Sequence, residues 1–115
     1  MTRPVSRDTA PHYVWGDGCD GWHLVRATGL SVIHERMPPG TSEVRHRHHQ
    51  ARQFFHVLDG PLTIEVEGET FEVETGVGLE IAPGLAHQVS NESPHPVEFL
   101  VVSQPPGRGD REPAA

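Results

Sequence analysis

The chain has 115 residues, a formal net charge of −7 with histidine neutral, 35% hydrophobic residues, 12 glycines and 11 prolines. All nine basic residues are arginine and none forms a stripe interleaved with aromatics, which argues against nucleic-acid binding; the acidic balance argues against docking on anionic membranes. The length suits one domain with a modest core, and the wealth of turn residues fits short strands better than a helical bundle.

In chain order, residues 1–12 are polar, carry two prolines and read as an N-terminal arm. Strands are predicted at 22–26, 30–36 and 53–58. A hairpin follows, in which Leu62, Ile64 and Val66 alternate with Thr63, Glu65 and Glu67, Gly68-Glu69 turns, and Phe71 and Val73 alternate with Glu72 and Glu74. Further strands are predicted at 79–82, 86–91 and 97–102. Pro38-Pro39-Gly40, Asp59-Gly60-Pro61, Gly76, Gly78, Pro83-Gly84 and Ser93-Pro94 separate them. No stretch reads as a helix of ten residues. Many short strands at this spacing predict an all-β sandwich or barrel over residues 13–103. Residues 104–115, QPPGRGDREPAA, read as a disordered tail. The Arg108-Gly109-Asp110 triplet within it, and the Asn91-Glu92-Ser93 sequon, carry no functional weight.

The single cysteine, Cys19, has no internal partner, which fits a reducing compartment. No leader-like apolar run or membrane span is seen, so a cytoplasmic location is expected.

Nine histidines stand out in so short a chain. Residues two apart in a strand share a face, so His46 and His48 can converge on one ion, with His49 turned outward. Imidazole is the commonest ligand for transition metals. Gln53, at the start of an apolar strand, is the next inward group, and His87, after Pro83-Gly84, is a fourth candidate. His12, His23, His49, His56 and His95 read as structural or surface residues, and His34 is ambiguous.

These residues fall on two spaced motifs. Gly40, His46, His48, Gln53 and Gly60 meet G-x5-H-x-H-x3,4-E-x6-G, with Gln for Glu; Gly76, Ala82, Gly84, His87 and Asn91 meet G-x5-P-x-G-x2-H-x3-N, with Ala82 for Pro. On both, the chain resembles the cupin superfamily. The resemblance implies a double-stranded β-helix, or jelly-roll barrel, around one divalent transition metal: Fe(II), Zn, Ni or Mn, held by His46, His48, His87 and Gln53. It also implies a homodimer, formed through edge strands and an exchanged N-terminal segment, here the stretch with Tyr13, Val14 and Trp15. Three-histidine Fe(II) dioxygenases share the fold, so a dioxygenase-like reaction on a small molecule is expected; the alternatives are a metal-dependent sugar or acid isomerase or lyase, and a non-catalytic ligand-binding or sensor barrel.

Gln53 changes the charge at the ion. Three imidazoles and an amide leave a divalent ion its full charge, favouring Lewis acidity and an anionic, even bidentate, ligand. His34, Glu35, Phe55, Val57 and Val89 are expected to line the pocket, with Leu62, Ile64, Phe71 and Val73 as its apolar wall. His34 and Glu35 are the nearest candidates for a general base.

Overall fold

The structure, a computed structural model, describes residues 2–107 and 109–115. Its strands in chain order are β1 (His12–Trp15), β2 (Cys19–Arg26), β3 (Ser31–Met37), β4 (His46–His48), β5 (Arg52–Asp59), β6 (Leu62–Val66), β7 (Glu69–Val73), β8 (Gly78–Ile81), β9 (His87–Ser90), β10 (Val97–Gln104) and β11 (Arg111–Pro113). Among the described residues there is no α-helix, and so none long and apolar enough to cross a membrane.

Two antiparallel sheets face one another. One runs β1-β2-β3-β10-β5-β8 and the other β11-β4-β9-β6-β7. Period-two alternation drives this arrangement: β10 reads buried–intermediate along Val97, Phe99, Val101 and Ser103, and β5 buries Gln53, Phe55 and Val57 while exposing Phe54 and Leu58. The inward residues Cys19, Met37, Phe55, Val57, Leu62, Ile64, Val73, Ile81, Val89, Val97, Phe99 and Val101 form one core between the sheets. This is the expected all-β jelly-roll barrel.

Turn chemistry fixes the ends of the strands. The β6–β7 hairpin turns on Glu67 and Gly68, one residue earlier than predicted, both with positive φ (49° and 91°). That is the primed two-residue turn whose twist matches a hairpin. Glu67, the non-glycine residue in that strained region, is held by its backbone amide to the Ala86 carbonyl (2.9 Å) and by its carboxylate, which accepts from the Ala86 amide (2.9 Å). Ala82-Pro83-Gly84-Leu85 forms a turn with proline second and glycine third at φ 86°, closed by Leu85 N–H to the Ala82 carbonyl. Alanine before Pro83 therefore leaves the motif turn intact. Asn91 is buried and clamps the loop before β10. Its amide donates to the carbonyls of Met37 (2.9 Å) and His95 (2.8 Å), and its carbonyl accepts from the Ser93 amide and hydroxyl.

Both ends of the chain differ from the sequence reading. His12–Trp15 is a strand on β2, with Trp15 packed against the core and its indole N–H on the Asp20 carbonyl (3.2 Å). The tail is corrected more sharply. Arg111–Pro113 pairs with β4, Arg111 opposite His48 and Pro113 opposite His46. The Asp110 carboxylate accepts the backbone amides of His49 (3.1 Å), Gln50 (2.9 Å) and Ala51 (2.9 Å). Backbone pairing and one carboxylate cap order this segment without apolar side chains. Arg108, the first residue of the Arg-Gly-Asp triplet, lies outside the described residues.

Candidate metal centre

Strand β4 presents His46 and His48 on one face, as alternation requires, and β9 pairs with it so that His87 lies opposite His46. All three rings are buried. Ring centroids lie 5.0 Å apart for His46–His48, 4.4 Å for His46–His87 and 6.1 Å for His48–His87. One nitrogen from each falls within 4.8 Å of the other two, so the group can hold a metal ion. The intervening arginines point away into ion pairs: Arg45 with Glu65 (2.7 Å), Arg47 with Glu112 (4.0 Å) and Arg52 with Glu80 (2.8 Å).

The protonation of the rings suits metal binding. Burial, foremost, lowers the pKa of all three, that of His46 to about 3, and the positive charge of Arg111 acts in the same direction. Each is therefore a neutral base near neutral pH. His46 Nδ1 lies 2.9 Å from the Val44 carbonyl and His87 Nδ1 3.1 Å from the Leu85 carbonyl. A carbonyl only accepts, so Nδ1 carries the proton and Nε2 carries the lone pair. His87 Nε2, His48 Nδ1 and Gln53 Oε1 are buried without a hydrogen-bond partner. Orphaned acceptors are costly to bury, and a cation would satisfy the His87 Nε2 lone pair and the Gln53 Oε1. The residues present thus fit a metal.

Gln53 stands on β5 in the same cavity as His46 and His48, with its amide N–H donated to Ser103 Oγ (3.1 Å) and its Oε1 left over. The cavity encloses about 450 Å³. Phe55 lines it and Glu35 faces it from β3. His34 does not. Ser31, Ile33 and Glu35 line the cavity, so His34 falls on the opposite face, where its Nε2 meets Glu98 at 2.7 Å and its ring meets the edge of Trp22. Val57 and Val89 are also corrected: each is two residues beyond a lining or ligand residue, Phe55 or His87, and lies in the core. Leu62, Ile64 and Val73 are core residues too, with Phe71 packed against them.

The sequence reading missed Tyr13, His23, Arg26, Glu43 and Arg111, all of which line the cavity. The Tyr13 hydroxyl donates to Glu35 (3.3 Å). Burial pushes the Glu35 carboxyl up to about 7, against that hydrogen bond and the charge of Arg111. Burial and the neighbouring Glu35 push Glu43 up to about 8; its carboxylate also accepts from the Val89 amide (3.0 Å). The alternation of β1 could have flagged Tyr13; Arg111 had no local signal.

The comparisons agree with this geometry. The chain is 28% identical over 81 residues to the tetracenomycin polyketide synthase protein TcmJ of Streptomyces glaucescens, covering 70% of this chain and 54% of that one, so it spans about half the length of that relative. A cupin sugar phosphate isomerase from Silicibacter pomeroyi superposes with a TM-score of 0.80 at 22% identity, covering 89% of this chain and 75% of that one. The polyketide cyclase RemF from Streptomyces resistomycificus superposes with a TM-score of 0.82 at 20% identity, covering 100% and 87%. The family model for the cupin domain matches residues 33–103, from within the cavity strand β3 to Ser103 on β10 and across all three histidines, and the chain belongs to the cupin family.

Proposed function

We propose that this cupin is a metal-dependent enzyme that rearranges a small, anionic organic molecule by proton transfer, with His46, His48, His87 and Gln53 holding one divalent transition metal. The observation that carries the reading is a cluster of three neutral imidazoles, two of which, His46 and His48, line the same cavity as Glu35, a carboxyl that titrates near neutrality. When bound, a divalent ion supplies Lewis acidity toward a substrate oxygen. Glu35 takes or gives a proton, since a group with a pKa of about 7 is populated in both forms at working pH. The Tyr13 hydroxyl holds the Glu35 carboxyl in place. Phe55 and Ile33 supply apolar wall, and Ser103 orients Gln53.

The names of the similar proteins, an isomerase and a cyclase, describe rearrangements that consume no oxidant, which supports this reading over oxygen chemistry. A dioxygenase-like reaction is the second reading; the all-neutral, three-histidine donor set favours it. Imidazole and amide donors accept Fe(II), Zn, Ni and Mn alike. The test is anaerobic incubation in D2O with a panel of keto acids and ketose phosphates, followed by NMR. Deuterium uptake that is lost in Glu35→Gln and in His87→Ala supports proton transfer. Turnover that requires O2 and ignores Glu35→Gln supports the second reading, and bound ligand without turnover a sensor.

A homodimer belongs to the same proposal. Strand β1 is a sheet edge, and its Val14 is 64% exposed. Light scattering on the size-exclusion peak tests it, and a monomer removes it.

A further inference from the structure

Charge in the cavity points to the ligand. In a chain of net charge −7, two arginines, Arg26 and Arg111, line the space that also holds His46, His48 and Gln53. Arg7, Arg36, Arg45, Arg47 and Arg52 each lie within 4.0 Å of a carboxylate. Arg26, at the exposed end of β2, makes no ion pair among the described residues. Arg111 is brought to the cavity by the β11–β4 pairing, with Pro106, Gly107 and Gly109 lining the wall beside it. One of its nitrogens donates to the Val44 carbonyl (3.2 Å) and stands 4.0 Å from Glu43, a loose pair that, among the described residues, leaves most of the guanidinium's donors unused. A guanidinium fork matches an oxyanion, whether carboxylate or phosphate, better than it matches a neutral group.

We infer that the cavity takes a small organic oxyanion, a carboxylate or a phosphate ester, whose charged end is recognised by Arg26 and Arg111. The inference deepens the proposed function and rests on that reading of the cavity as the substrate site. A volume of about 450 Å³ lies toward the small end of ligand sites, which suits a small molecule.

The test is titration calorimetry with malonate, inorganic phosphate and neutral malonamide. It uses zinc-loaded and chelator-stripped protein, each as wild type, Arg26→Gln, Arg111→Gln and Arg111→Lys. Malonate or phosphate is expected to bind about tenfold more tightly than malonamide, and to weaken about tenfold in each glutamine variant, the usual scale for losing one charge-assisted pair. Arg111→Lys should recover part of the loss, which a merely structural role for Arg111 would not produce. The tighter of the two anions names the source: malonate a carboxylate, phosphate a phosphate ester. Arginine-dependent binding in stripped protein supports the inference even if no metal is held. Equal affinity for malonamide overturns it, and so does anion binding that needs zinc but ignores both arginines.

Discussion

Replacing Glu35 by glutamine is expected to stabilise the metal-stripped protein at alkaline pH and to leave it unchanged in acid. The folded-state pKa of Glu35, about 7, lies above its ordinary 4.5 because burial disfavours the charge. The native state therefore binds the Glu35 proton more tightly than the unfolded chain. Below the unfolded pKa both states are protonated and the carboxyl costs nothing. As pH rises through the interval between the two values, the unfolded chain ionises first, and stability falls until the folded carboxyl ionises too. The rise from 4.5 to about 7, at about 1.4 kcal/mol per pH unit, sets an upper bound of about 3.5 kcal/mol. Glu35 is half-buried and faces a solvent-accessible cavity, so screening reduces this to about 1–2 kcal/mol. Glutamine keeps the acceptor for the Tyr13 hydroxyl and removes the charge that raises Glu43. The assay is urea unfolding of both proteins at about pH 3.5 and about pH 8.5, chosen to fall on either side of that interval. A gain for the variant of about 1–2 kcal/mol at the higher pH, absent at the lower, is expected. Equal stability differences at both would refute the buried-carboxyl argument.

Three further outcomes follow from the same geometry. A Cβ at Gly107 would sit 2.7 Å from His48 Cε1 and 2.9 Å from its Nδ1; Gly107→Ala should therefore displace this ring, cost about 1–3 kcal/mol in a melt and alter the visible spectrum of the cobalt-loaded protein. Asp110→Ala should free the amides of His49, Gln50 and Ala51, read as faster hydrogen exchange there by mass spectrometry. The wild type should show the same loosening as pH falls through the lowered pKa of Asp110. Saturating a stripped sample with zinc at a hundred times its dissociation constant should add about 2.7 kcal/mol, or about 10 °C in melting temperature for a chain of this length; no rise would contradict a preformed site.

The parts of the fold legible in the sequence are those governed by local periodicity. His46 and His48 announce a shared face because strands repeat every two residues, and Leu62 to Val73 announces a hairpin by alternation around a glycine turn. The mistakes have physical causes as well. On β3 the inward set is Ser31, Ile33, Glu35 and Met37, and a charged residue at an inward position masks the alternation that would have turned His34 outward. The β2–β3 register shift between His23 and Val25 breaks the alternation of β2, so His23 read as surface although it lines the cavity. Strand β11 has no apolar residue at all beyond proline; its order comes from pairing with β4 and from Asp110, both non-local. With it went Arg111, and hence the positive side of the cavity.

His46, His48 and His87 are expected to hold one transition metal. Elemental analysis of protein purified without added metal, beside His46→Ala and His87→Ala, tests it most directly. Near-stoichiometric metal in the wild type, lost in both variants while strand content by circular dichroism is kept, is the expected result; metal retained in full by both folded variants would contradict it.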